Sequence, residues 1–161
     1  MPANSTSSIP QMSSIPKEKP QNFPDFILIG AGKSGTTAYH KILSQHPGIY
    51  CSTPKEPNFF AYPEMSTRTY GASHQHNIKT EAAYRDLFRA ADPSQIRGEA
   101  SVGYFPQLNT PMRIHHSLPR VKLIAILRHP VDRAYSSWLH RRHDFMEPID
   151  DFHEACQAGP A

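Results

Sequence analysis

Lys33-Ser34-Gly35-Thr36-Thr37 puts a cation, a glycine and three hydroxyl side chains into five consecutive positions. Phe26-Ile27-Leu28-Ile29 precedes it, followed by Gly30-Ala31-Gly32, and reads as a short buried strand entering a tight turn. Ala38, Tyr39, Ile42, Leu43 and His46 then fall at helical spacing, so a helix is expected to begin near Ser34 to Thr36. A strand feeding a glycine-rich turn into a helix points several backbone N–H groups, and the positive end of the helix dipole, at one spot. That geometry suits a phosphate or sulfate. Lys33 adds a mobile cation, and Ser34, Thr36 and Thr37 add hydroxyl donors.

A nucleoside-triphosphate loop requires Gly, four residues, then Gly-Lys-Ser/Thr. Gly32-Lys33-Ser34 supplies the end, but the first glycine would fall at Ile27, so this loop is shorter. Two other places carry chemistry. Arg128 follows the apolar run Val121-Lys122-Leu123-Ile124-Ala125-Ile126-Leu127, at the carboxyl end of a strand, where open α/β sheets bind ligands. Ser136 lies about two helical turns later. Taken alone, Arg128 serves equally well as a helix cap or a partner of Asp132. In Ser52-Thr53-Pro54-Lys55-Glu56-Pro57-Asn58-Phe59-Phe60, two prolines stiffen a loop that presents Lys55 and Glu56. A Lys-Glu pair in a loop is ordinarily a solvated surface feature.

Together these segments resemble the sulfotransferase family that uses 3′-phosphoadenosine 5′-phosphosulfate (PAPS), in particular its carbohydrate, heparan-sulfate-type branch. In that family a lysine, a small residue, Gly and Thr open the first helix and hold the 5′-phosphosulfate; Lys33-Ser34-Gly35-Thr36-Thr37 is similar. Leu-Arg-His-Pro-x-x-Arg-Ala-x-Ser, from Leu127 to Ser136, resembles the 3′-phosphate motif, whose first Arg and Ser correspond to Arg128 and Ser136. The acidic residue before the Phe-Phe pair, Glu56 here, matches the family's general base. Glu99, Ser101 and Tyr104-Phe105 resemble a further family segment, although Ala100 stands where some glycan enzymes have lysine. The resemblance implies Lys33 and Glu56 as catalytic residues. It implies Lys33, Ser34, Gly35, Thr36, Thr37, Arg128 and Ser136 as nucleotide-binding residues, with PAPS as sulfuryl donor and no metal.

The elements positioning these residues follow from pattern. His46-Pro47-Gly48 ends the first helix, and Ile49-Tyr50 makes a short strand. Residues 61–80 read as a loop. Tyr84, Leu87, Phe88 and Ala91 form a helical face stopped by Asp92-Pro93, and residues from Arg97 run as a second strand into a loop. Thr110-Pro111 caps and opens a helix holding Met112, Ile114 and Leu118. The run 121–127, near-continuously apolar, is expected to be a central parallel strand. Val131, Ala134, Tyr135, Trp138 and Leu139 give the next helix its apolar face, and Asp150 or Asp151 caps a last short helix. The expected fold class is α/β, a P-loop-like parallel sheet flanked by helices.

At 161 residues the chain has room for one sizeable core. A formal charge of +3 without a dense Lys/Arg run favours an anionic cofactor over nucleic acid. Two cysteines make no disulfide framework, and His74-x-His76 and His115-His116 lack companion ligands. Residues 1–22, rich in Ser, Pro, Gln and Asn, are expected to be a disordered tail before a sulfotransferase domain at 23–161. The tail has no apolar run for a signal peptide or membrane anchor, unlike Golgi members of the family, which gives a cytoplasmic expectation. The resemblance covers roughly residues 24–157 and only the first half or so of a typical member. The domain is therefore expected to be truncated at the C-terminus, and the chain alone a poor catalyst. The expected activity is sulfuryl transfer to a hydroxyl acceptor, a carbohydrate by the Glu-x-x-Phe-Phe similarity. The alternatives are a nucleotide kinase or other NTPase, which should show a full Walker loop and an Asp-ended strand, and a non-catalytic PAPS-binding fragment.

Overall fold

The computed structural model describes residues 22–61 and 78–158. The expected disordered tail, apart from Asn22, lies outside the described residues, as do most of the 61–80 loop with His74 and His76, and the terminal Gly159-Pro160-Ala161. Among the described residues four parallel strands make one sheet: β1 (Phe26–Gly30), β2 (Ile49–Cys51), β3 (Ile96–Ala100) and β4 (Lys122–Ala125), in the order β2-β3-β1-β4. The helices are α1 (Thr36–Ser44), α2 (Glu81–Asp86), α3 (Thr110–Ser117), α4 (Pro130–His143) and α5 (Phe152–Ala158), with a short 3-10 turn at Val102–Tyr104. Among the described residues, no helix is long and apolar enough to cross a membrane.

β1 lies between β3 and β4, with Ile27 opposite both Glu99 and Leu123. Phe26 faces Gly98 across the β1–β3 pair, and a Cβ at Gly98 would collide with the Phe26 ring. The glycine therefore lets a phenylalanine lie flat over its neighbouring strand. Around these strands Phe23, Ile27, Phe60, Tyr84, Phe88, Tyr104, Ile114 and Leu118 form a buried core that is largely aromatic.

Three local expectations need correction. The apolar run 121–127 is not a central strand. Among the described residues it pairs only with β1, and its Leu123 and Leu127 are 49% and 73% exposed. Regular strand covers only Lys122–Ala125, with pairing extended by the bond from Ile126 N–H to the Gly30 carbonyl. Position in a sheet is set by the order of crossovers, which the hydrophobicity of one strand does not encode. The Tyr84 helix is shorter than its apolar face: after Asp86 the amides of Leu87, Phe88, Arg89 and Ala91 bond three residues back. This tightened path still buries Phe88 completely. Thr110 does not cap α3; it is the first helical residue, Asn109 holds the cap position with no side-chain capping bond, and Thr110 Oγ1 has no partner among the described residues. At α5, Asp151 is the residue that caps, accepting from Glu154 N–H at 2.9 Å, while Asp150 pairs with Arg142.

Candidate active site

α1 begins at Thr36, and the residues before it form the turn expected of an anion loop. Lys33 (φ 64°) and Gly35 (φ 91°) are both left-handed, separated by Ser34. Such a conformation turns successive N–H groups inward to form an anion-binding concavity. No side chain caps the α1 N-terminus, so its first amides are left for a ligand. Ser34 is buried, and its Oγ finds no partner among the described residues.

The second loop leaves β2 and folds over the end of β3. Glu56 N–H donates to the Ala100 carbonyl at 2.9 Å, which docks the loop onto β3. Glu56 is also left-handed (φ 66°), a costly conformation for a residue with a Cβ, and it is held by contacts on both carboxylate oxygens. Oε1 pairs with Lys55 Nζ, and Oε2 accepts from Val102 N–H at 2.8 Å. Pro57 is buried next in the chain, and Phe59 and Phe60 enter the aromatic core. Phe59 stacks on Tyr84 at 4.5 Å, while Phe60 meets Tyr84 and Tyr104 edge-on. The Glu-x-x-Phe-Phe pattern thus has a physical sense: the two rings anchor a short loop whose carboxylate stays at the surface.

Arg128 follows β4, and its Nη1 reaches the Lys33 carbonyl at 3.4 Å, joining the first loop to the strand end. Among the described residues it forms no ion pair with Asp132, and Pro130, not Arg128, opens α4. Ser136 lies half-buried on α4. These segments converge on one cleft of ≈ 840 Å³, whose walls include Lys33, Gly35, Thr36, Thr37, Glu56, Arg128 and Ser136. Ser34, expected with them, is not on its wall.

The sequence reading missed several wall residues. Lys41, Lys55, Ser137, His140 and Arg141 also line the cleft. Lys41 and Arg141 occupy the cleft-facing sides of α1 and α4, a signal readable only once the helices are placed. The lining carries the cations Lys33, Lys41, Lys55, Arg128 and Arg141 against the carboxylates Glu56 and Asp144. Cationic excess, free helix amides and hydroxyls at Thr36, Thr37, Ser136 and Ser137 fit a nucleotide with phosphates at both ends.

Glu99 does not reach this cleft. It is 1% exposed, and burial pushes its carboxyl up to about 7, opposed by hydrogen bonds from Tyr84, Ser101 and Tyr104 and assisted by the charge of Glu56. Among the described residues no group of three His, Cys, Asp or Glu side chains is placed to hold a metal ion.

The pattern of the Sulfotransferase family matches residues 24–158. Bifunctional heparan sulfate N-deacetylase/N-sulfotransferase 1 of Mus musculus is 34% identical over 151 residues, covering 89% of this chain and 16% of the relative. The human N-deacetylase/N-sulfotransferase 3 is similar at 34% identity, again over 89% of this chain and 16% of its own length. Among solved structures, a sulfotransferase from Alicyclobacillus acidocaldarius superposes with a TM-score of 0.73 at 38% identity, over 82% of this chain and 55% of that one. The chain therefore spans about a sixth of the length of these curated relatives and about half of the solved enzyme. A shorter-than-Walker anion loop, an arginine just beyond the end of β4 and a family match spanning nearly all described residues agree: this chain belongs to the sulfotransferase family.

Proposed function

We propose that the chain binds PAPS and carries the sulfuryl-transfer half of a sulfotransferase site, acting on a carbohydrate acceptor. The observation carrying this reading is that Lys33, Glu56, Arg128 and Ser136, from three separate segments, line one cationic cleft. When bound, PAPS supplies a sulfuryl group on its 5′-phosphate and leaves as 3′,5′-diphosphoadenosine (PAP). Lys33, Gly35, Thr36, Thr37 and the uncapped α1 N-terminus hold the 5′ end, with Ser34 in the turn. Lys33 also stabilises the charge that gathers on the 5′-phosphate oxygen as the S–O bond breaks. Arg128 and Ser136 hold the 3′-phosphate.

Glu56 takes the acceptor's proton as the acceptor atom bonds to sulfur. Val102 N–H on Oε2 and Lys55 on Oε1 orient the carboxylate and leave each oxygen a further lone pair for that proton. A hydroxyl acceptor is the first reading. The name N-sulfotransferase of the relatives favours a second, in which the nucleophile is an amino-sugar nitrogen.

Calorimetry with PAP and with ATP tests the nucleotide, and PAP is expected to bind in preference; equal affinities would revive the kinase alternative. Transfer of labelled sulfate from PAPS to an N-unsubstituted glucosamine polymer, beside its N-acetylated form, tests the acceptor. Label on the first alone indicates nitrogen, and label on both indicates a hydroxyl. PAP binding without any transfer would leave the non-catalytic reading standing.

A further inference from the structure

Beneath the Glu56 loop lies a buried polar cluster that no step above uses. Glu99 Oε1 accepts from the hydroxyls of Tyr84 (2.5 Å) and Tyr104 (2.9 Å), and Oε2 accepts from Ser101 (2.8 Å). All four side chains are at most 2% exposed. Placing a carboxyl among them costs desolvation energy, and an apolar residue would fill the same space without that cost.

The directions of the bonds reveal what the carboxylate does. A hydroxyl has one proton, and here Ser101 and Tyr104 both spend theirs on Glu99, leaving their lone pairs to face elsewhere. Those lone pairs receive the backbone of the neighbouring loop: Asn58 N–H donates to Ser101 Oγ at 3.1 Å, and Phe60 N–H donates to the Tyr104 hydroxyl at 3.4 Å. Both amides lie within four residues of Glu56, on the loop that holds it in its left-handed conformation. The Asn58 side chain closes the arrangement, donating from Nδ2 to the Glu56 carbonyl at 3.0 Å. Tyr84 belongs to α2 and stacks on Phe59, so the cluster also ties α2 to the loop.

We propose that Glu99 is a positioning residue for the transfer reaction: its acceptor-only carboxylate orients the Ser101 and Tyr104 hydroxyls so that they grip the backbone carrying Glu56. The inference rests on Glu56 as the base assigned above. It predicts that the Glu99 side chain matters through the polarity of its hydrogen bonds and not through volume.

Glu99→Gln tests this, because the amide keeps the shape but replaces one acceptor oxygen with a donor NH₂, forcing a hydroxyl to turn round. Amide hydrogen exchange of the full chain, read by NMR, reports the loop directly. Exchange at Asn58 and Phe60 should speed roughly tenfold, while β1 amides keep their wild-type rates. With PAPS and acceptor, kcat should fall by up to about 100-fold, as for a base displaced by about an ångström. KM for PAPS and PAP affinity should stay at wild-type values, since no nucleotide-binding residue is touched. Ser101→Ala and Tyr104→Phe each remove one grip, and should release Asn58 and Phe60 respectively; they decide the matter if Glu99→Gln does not fold. Unchanged exchange at both amides would overturn the proposal. Faster exchange throughout the core with unchanged kcat would also overturn it, by reducing Glu99 to a packing residue. A wild-type chain that neither binds PAP nor turns over PAPS would count against the proposed function instead, and the exchange at Asn58 and Phe60 would still decide whether Glu99 holds the loop.

Discussion

On the β3 side of β1 the sheet is deeply covered. Ile27, Leu28, Ala100, Tyr84, Phe88 and Tyr104 are all at most 2% exposed, and the Phe59-Phe60 pair is wedged among the tyrosines. On the β4 side, Leu123 and Leu127 are 49% and 73% exposed, and α4 and α5 bury no residue fully. What holds α4 to α5 is a small cluster of Tyr135, Trp138 and Phe152, with rings 5.1–5.6 Å apart, and a bond from Trp138 Nε1 to the Ile149 carbonyl. Yet both flanks contribute to one cleft. The covered flank supplies the Lys33 turn and Glu56, whose geometry is imposed by packing before any ligand arrives. The thin flank supplies Arg128 and Ser136, whose anchorage to the rest is slight, Arg128 touching the Lys33 carbonyl at 3.4 Å. On the proposed roles, the groups assigned to the chemical step sit where burial is deepest, and those assigned to the far phosphate sit where it is thinnest, so that ordering on binding is expected to cost more there.

The contrast can be broken by substitutions on either side. Glu56→Gln, on the covered flank, should lower PAPS turnover by about 10²–10⁴-fold while calorimetry shows PAP affinity unchanged; a parallel loss of affinity would mean the two flanks are not separable. Arg128→Ala, on the thin flank, should do the reverse. It should weaken PAP by roughly 10- to 150-fold, the equivalent of one charge-assisted contact, and hardly alter binding of adenosine 5′-phosphosulfate, which lacks the 3′-phosphate. Equal losses for the two ligands would remove Arg128 from the 3′ end.

Stability sharpens the same comparison. Gly98→Ala drives a methyl into the buried Phe26 ring and should cost about 1–3 kcal/mol in urea unfolding. Leu127→Ser, on exposed surface, should stay within about 0.5 kcal/mol. Similar losses for both would show that the β4 side is as tightly packed in solution as the β3 side.

The last effect concerns pH. Glu99 carries a carboxyl raised from 4.5 to about 7, mainly by burial, so the folded chain binds this proton more tightly than the unfolded one. Its contribution to stability is therefore complete below about pH 4.5 and is lost as the pH rises through about 7. Glu99→Gln should flatten the fall in urea midpoint between pH 5 and pH 8, read as a difference from wild type to cancel other groups. A steeper fall in the variant would mean that the hydroxyl bonds outweigh burial. The ionised form that orders the Glu56 loop is thus also the form that burial disfavours.

Local chemistry was legible along the chain because it depends on neighbours in sequence. The strand–turn–helix at residues 26–44 is written in four apolar residues, three glycines and a helical apolar spacing, and its start at Thr36 follows from them. The same holds for the Pro-stiffened Glu56 loop and for the Arg128-to-Ser136 strand end and helix. Other features depended on contacts between distant segments and had no local signature. Nothing near residue 121 says that β1 occupies the place between β3 and β4, so an apolar run fit for a central strand lies at the edge. Lys41, Lys55 and Arg141 are ordinary surface cations until α1, the loop and α4 are brought to face one another. Glu99 is the plainest case: a glutamate in a strand is a modest β former with no assigned place. Only the packing of Tyr84, Ser101 and Tyr104 around it, residues from a helix, a loop and a 3-10 turn, makes it a buried carboxylate whose hydrogen bonds reach the loop of Glu56. Sequence determines which residues have the means to act; the order of strands and the burial they create decide which of them meet, and in what protonation state.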